Sequence, residues 1–165
     1  MYRVRQFITA LTAHVSDSDM TEVDMHLPPN ARSLFRRMPC DGQAHALRVL
    51  RGLKQRGETN PSMLAAALLH DVGKTAARIG PVTRSIYVLM QNFAPRQLER
   101  LTQGSAKGWR APIIAQHQHP RVGASWASDA GCDALTVSLI ARHQDHVAGE
   151  EDHLLKILQE VDNRN

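Results

Sequence analysis

Cysteine is nearly missing from this chain: Cys40 and Cys132 are the only two among 165 residues, and neither has a second Cys nearby. That excludes a CxxC zinc or redox site and a disulfide-stapled miniature, and it fits a reducing compartment. Aromatic residues are scarce, seven in total, too few for the stacking platforms that hold single-stranded nucleic acid. Excess charge is small. Twenty Lys and Arg against 16 Asp and Glu leave +4, and the basic residues are scattered, so nucleic acid is not signalled as a partner. Long apolar runs are absent too: the longest, residues 63–69, has seven residues, against the roughly 20 that a membrane-spanning helix requires. The opening MYRVRQFITALTAHV is interrupted by threonines and His14, and no small-residue cleavage pattern follows. It reads as an amphipathic helix rather than a signal peptide, and a soluble, cytoplasmic protein is expected.

Helical periodicity and histidine are what the sequence does have. With 42% hydrophobic and 22% charged residues, the chain can bury one core within one compact domain. Nine histidines outnumber the aromatics, which directs attention to metal binding or acid–base chemistry. Apolar residues recur with period 3.6, and period-2 alternation is nearly absent, so an all-α fold is expected. The predicted helices span residues 2–15, 31–38, 42–56, 61–70, 82–93, 95–102, 111–116, 121–130, 134–142 and 150–163. Asp41, Asn60 and Asp133 stand where N-caps would accept from free backbone N–H groups. The acidic stretch 16–29, ending in Pro-Pro, reads as a loop, and 103–108 (QGSAKG) as a surface turn.

Helix geometry then sorts the histidines. On the helix after Asp41, about 100° per residue puts Ala46, Val49, Leu50 and Leu53 on one arc with His45 at its edge, so His45 looks inward. Such a histidine taken alone is more often a hydrogen-bonded core residue than a ligand. The segment SMLAAALLHD is apolar on every side and ends in His70 and Asp71, followed by Val-Gly-Lys. A carboxylate leaving water there needs a cation or several donors. On the last helix Asp162 falls within the arc of Leu154, Leu155, Ile157, Leu158 and Val161, while fraying near the terminus is the competing reading. His143 continues an i, i+4 stripe from Leu135 and Leu139. Of His117 and His119 only one can share that direction, and Pro120 is expected to open the next helix. His14, His26, His146 and His153 have no such context and read as surface residues.

These residues resemble the H…HD…D signature of the HD-domain metal-dependent phosphohydrolases: His45, then His70-Asp71 in HDVGK, then Asp162 in LQEVDN. HPRVGASWA from His119 and IARHQDHVAG around His143 are similar to segments of the two-metal, HD-GYP-like branch. Gln144 stands where that branch has a second His, and no GYP tripeptide follows Gly149, so a cyclic-di-GMP substrate is not supported. The resemblance implies a single HD-domain helical bundle with its core over residues 40–163 and residues 1–39 as an N-terminal helical extension. It also implies a first ion held by His45, His70, Asp71 and Asp162, with Asp71 bridging to a second ion on His119 and His143.

Imidazoles and carboxylates together suit Mn²⁺, Fe²⁺, Co²⁺, Ni²⁺ or Zn²⁺, with Mg²⁺ a further option. Such ions give a phosphate ester both a Lewis acid and a nucleophilic hydroxide at neutral pH. Asp71 and Lys74 are the expected catalytic residues, Lys74 lying one turn from His70 where it can neutralise a phosphoryl oxygen. The leading expectation is a phosphohydrolase that cleaves a phosphomonoester or phosphodiester of a nucleotide or related small molecule. A metal-binding regulatory module without turnover is the alternative. A basic nucleic-acid binder has only FRRM and LRVLRGLKQR behind it, and such clusters more often form a solvated face.

Overall fold

A computed structural model of the chain describes residues 14–77, 80–104, 107–147, 149 and 152–165. The described residues are helical, with no strand among them, as the 3.6 periodicity requires. Most of the predicted helix over residues 2–15 lies outside the described residues, and His14 and Val15 belong to no helix.

The first helix, α1 (Asp17–His26), occupies the stretch expected to be a loop. Ser16 Oγ accepts from the Asp19 N–H at 3.2 Å, and the Asp19 carboxylate accepts from the Ser16 N–H at 2.8 Å. This reciprocal capping box, with Asp17 and Asp19 at the positive end of the helix dipole, starts α1 despite its weak apolar pattern. Helix α2 (Pro29–Arg37) follows, with Pro in the first turn and Ala31, Leu34 and Phe35 buried. Together with Val23 and Leu27 these residues join the same core as the rest of the bundle.

Helix α3 (Cys40–Gln55) begins at Cys40 with Pro39 as N-cap. Asp41 is therefore inside the first turn and not the cap expected of it; its charge still suits the helix N-terminus. Helix α4 (Pro61–Leu69) starts on Asn60, whose side chain accepts from the Ser62 and Met63 N–H groups, and every side chain from Met63 to Leu69 is buried. Each Leu or Met buried in this way stabilises the fold by about 1.5–3 kcal/mol. A 3-10 turn (Val72–Ala76) follows, then α5 (Pro81–Phe93) and α6 (Pro95–Thr102).

After a short 3-10 turn (Gly108–Arg110), α7 (Ala111–Asp129) runs unbroken through Pro120, where the sequence suggested two helices. Helix α8 (Ala134–Arg142) starts on the Asp133 side chain as expected, and α9 (His153–Asp162) closes the bundle. Helix α4 is central: α3 and α8 pack along it, and α1, α2 and α9 also touch it. On the far side of the bundle, α5 and α6 pack against α7 around a separate small cluster of Tyr87, Leu98 and Ile113. No described helix is long and apolar enough to cross a membrane.

Candidate metal centre

Five segments deliver six side chains to one place, mostly from helix ends. His45 comes from the second turn of α3, His70 caps the C-terminus of α4, and Asp71 follows it directly. His119 lies inside α7, His143 caps the C-terminus of α8, and Asp162 is the last residue of α9. All six positions singled out in the sequence as metal ligands therefore converge, and the end of α9 is folded rather than frayed. His70, His119 and His143 are buried, whereas His45 and Asp162 keep some access to solvent.

The three buried imidazoles are held by the same local device. Each Nδ1–H donates to the backbone carbonyl three residues earlier: His70 to Ala67 at 2.9 Å, His119 to Gln116 at 2.6 Å, and His143 to Ile140 at 2.8 Å. At His70 and His143 the helix is ending, where carbonyls lose their usual partners. In the middle of α7 the same vacancy is made by Pro120. It has no N–H to give the Gln116 carbonyl, four residues back, and the His119 ring takes that acceptor. A histidine fixed through Nδ1–H has Nε2 as the atom that takes a metal ion; His119 and His143 present that lone pair to the centre, and His70 would do so once an ion displaces its Nε2 proton.

The distances describe two overlapping groups. His45, His70 and Asp71 offer ligand atoms all within 4.8 Å of one another, and so do Asp71, His119 and His143. Asp162 joins the first group, its Oδ1 lying 2.9 Å from His45 Nε2 and 3.5 Å from His70 Nε2. Asp71 belongs to both: Oδ2 is 3.7 Å from His70 Nε2, while Oδ1 is 3.4 Å from His119 Nε2 and 3.7 Å from His143 Nε2. Ligand atoms placed about 2.1 Å from one ion stand about 3.0–3.4 Å apart, close to these separations.

Hydrogen bonding within the protein leaves the cluster short of donors. With Nδ1–H committed on both rings, His119 Nε2 and His143 Nε2 turn lone pairs toward each other at 3.2 Å and toward the same Asp71 oxygen. His70 Nε2 is buried with no hydrogen-bond partner. Burial opposes charge on His70, but the Asp71 and Asp162 carboxylates outweigh it and push the imidazole up to about 9. Burial and the charge of His70 drive His143 down to about 3. Although burial opposes it, Lys74 and His70 hold Asp71 well below the usual carboxylate range, and His70 and His45 do the same for Asp162. Anionic carboxylates, a neutral His143 and an orphaned Nε2 form a donor set that fits a divalent cation.

Close backbone packing places Asp71 against α7. A Cβ on Gly73 would lie 1.9 Å from the His119 carbonyl oxygen and 2.8 Å from the Gly123 N. Only glycine lets the turn after Asp71 lie flat on α7 at His119. Lys74 Nζ donates to Asp71 Oδ2 at 2.6 Å, so in this structure the lysine serves the carboxylate. Gln159 of α9 donates to the His143 carbonyl at 3.0 Å, tying the end of α8 to the helix that carries Asp162.

Of the neighbouring pair, His119 is the inward one, whereas His117 is exposed and hydrogen-bonded to the Tyr87 hydroxyl at 3.0 Å. His14, His146 and His153 are exposed as expected. His26 differs: it is half-buried, and its Nε2 is shut off from solvent without a partner. The roles of Gly73, Pro120 and the Gln116 carbonyl do not show in the apolar pattern of any one helix. A proline four residues after a glutamine, with histidine between them, was the available signal.

Fold and site together define an all-helical protein with a His/Asp cluster able to hold a metal ion. Comparison with known proteins adds no relative: no family model matches the chain, and no curated protein or solved structure matches it significantly.

Proposed function

We propose that the chain is a metal-dependent phosphohydrolase of the HD-domain kind, cleaving a phosphomonoester or phosphodiester of a nucleotide or related small molecule. The supporting observation is the convergence of His119 Nε2, His143 Nε2 and Asp71 Oδ1, three acceptors with no donor between them, beside the orphaned His70 Nε2. His45, His70, Asp71 and Asp162 would hold one ion, and Asp71, His119 and His143 a second. Such ions supply Lewis acidity toward a phosphoryl oxygen and a water that ionises near neutral pH.

The chain's own contribution is to orient and to hold protons. The Ala67, Gln116 and Ile140 carbonyls keep the protons on Nδ1, so that all three Nε2 atoms face inward. Lys74 keeps Asp71 ionised and aimed, and its remaining N–H bonds are available to a phosphoryl oxygen. His45 and Asp162, the more accessible members, lie where the cluster opens to solvent.

The test begins with elemental analysis of protein purified without chelator, where about one to two ions per chain are expected. The loaded protein is then assayed against bis-p-nitrophenyl phosphate, p-nitrophenyl phosphate and a nucleotide panel. Neither resident metal nor uptake of Mn²⁺, Fe²⁺, Ni²⁺ or Zn²⁺ would sink the reading. Uptake without turnover of any ester would assign the chain to the regulatory alternative. Lys74→Ala sharpens the role of that residue: loss of its bond to Asp71 should weaken ion retention about 10–100-fold. Unchanged retention with kcat/KM lowered about 10²-fold would place Lys74 on the substrate instead.

A further inference from the structure

Away from the His/Asp cluster, the surface where α3 meets the end of α9 concentrates a different chemistry. A groove of ≈ 490 Å³ is lined there by Arg48, Arg51, Gly52 and Arg56 on one side and by Arg164 and Asn165 on the other. Four guanidinium groups in one groove repel one another unless anions answer them. Two are answered from within the chain. Arg51 donates to Asp19 and Glu22 of α1, and Arg56 donates to Glu160 of α9 at 3.0 Å. None of those three acids lines the groove, although the Glu160 carboxylate also feels the charge of Arg164. Arg48 and Arg164 have no ion pair or side-chain hydrogen bond among the described residues.

We propose that this groove is a binding site for a small oligophosphate anion, separate from the metal centre. The planar fork of arginine matches phosphate oxygens in pairs, and several forks around one groove suit a chain of linked phosphates better than a single carboxylate. The volume is that of a small-molecule site, which runs from about 300 to 1,000 Å³. No aromatic residue lines the groove, so it offers no platform on which the bases of a single-stranded nucleic acid would stack.

The floor of the groove links it to the rest of the molecule. A Cβ on Gly52 would lie 2.7 Å from Val161 Cγ1, so glycine is what lets α9 approach α3 this closely. The same two helices bring His45 to Asp162, at 2.9 Å. Gly52 stands seven residues along α3 from His45, about 10 Å of helix. An anion bridging Arg48 and Arg164 ties the end of α9 to α3 and so tightens that pair.

The test uses metal-stripped protein titrated calorimetrically with inorganic tripolyphosphate at low salt, with NaCl of matched ionic strength as control. This makes it independent of the phosphohydrolase reading. Saturable binding is expected in the wild type. Arg48→Ala and Arg164→Ala should each raise Kd about tenfold or more, and the double variant further, on the scale of a lost charge-assisted hydrogen bond. His70→Ala should bind as the wild type does. Arg48 is half-buried and Arg164 exposed, and neither makes an ion pair or side-chain hydrogen bond among the described residues, so folding should survive, as checked by circular dichroism; Arg48→Gln and Arg164→Gln give a second set with longer side chains. No saturable binding, or wild-type affinity in the double variant, would overturn the proposal. So would loss of binding in a His70→Ala protein that circular dichroism shows to be folded, or tighter binding of an oligothymidylate than of tripolyphosphate.

Discussion

The bundle around α4 and the layer made by α5 and α6 are both helical, yet they are held by different amounts of chemistry. Around α4 every side chain from Met63 to Leu69 is buried, and the surrounding helices α3, α7, α8 and α9 each bring a residue to the cluster at its end. Between the α5–α6 layer and α7, Tyr87, Leu98 and Ile113 form a small core, while Val82, Ile86, Leu89 and Phe93 of α5 stay exposed. Ligand atoms that must meet within a few ångströms need supports that cannot shift, and a close-packed interior supplies them. A thin layer resting on α7 can change without moving that cluster. Substitutions in the two regions should therefore differ sharply.

The largest effect is expected at Gly73, where the turn meets α7. Gly73→Ala forces a methyl against the His119 carbonyl, and overpacking of this kind should cost about 3 kcal/mol or more in urea unfolding. A loss under about 1 kcal/mol would show that the turn and α7 are not tightly apposed.

Pro120→Ala should split two properties that usually move together. Removing an interior proline should raise stability by no more than about 1 kcal/mol, because the Gln116 carbonyl that it leaves open is already taken by the His119 ring. The new N–H competes with His119 for the Gln116 carbonyl, so affinity for the ion on His119 and His143 should fall about tenfold. A gain in both would show that the proline has no part in orienting His119.

Next comes pH, followed by thermal melting of chelator-treated protein. His70, raised from 6.5 to about 9, contributes stability that is fully present below 6.5 and is lost as pH rises through 9. His143, lowered from 6.5 to about 3, is buried neutral, so stability falls as pH drops from 6.5 toward 3. The metal-free protein should be most stable near pH 6.5, whereas a bound ion, which requires neutral imidazole, should reverse the slope above that point. Parallel profiles with and without metal would contradict the link between His70 and the ion. The smallest effect belongs to the other region: Phe93→Ser on the outer face of α5 should change stability by less than about 0.5 kcal/mol and leave metal content unaltered.

Much of the cluster was legible because its members sit on or beside apolar arcs. Asp162 among leucines on α9, and His70-Asp71 at the end of an all-apolar helix, are departures from pattern that can be read one helix at a time. Helix α1 was missed because only Val23 within it is buried, leaving little periodicity to detect, although Ser16 and Asp19 already had capping-box spacing. Asp41 misled because Pro39, two residues earlier, sets the helix start. Pro120 misled because the cost of a proline inside a helix is offset here by a side chain from the preceding residue.

By itself the sequence determined that the chain is helical, that α4 is enclosed, and that His70 and Asp71 emerge at its end. Those properties depend on neighbours within a turn or two, which periodicity and capping specify locally. The tertiary structure alone decided that His45 meets Asp162 across 117 positions, that Asp71 reaches both His70 and His119, and that Lys74 turns to Asp71 rather than outward. Those outcomes depend on how closely helices approach, and that distance is set by two glycines with no room for a Cβ, Gly52 against Val161 and Gly73 against His119. A spacing of that kind exists only once both partners are in place.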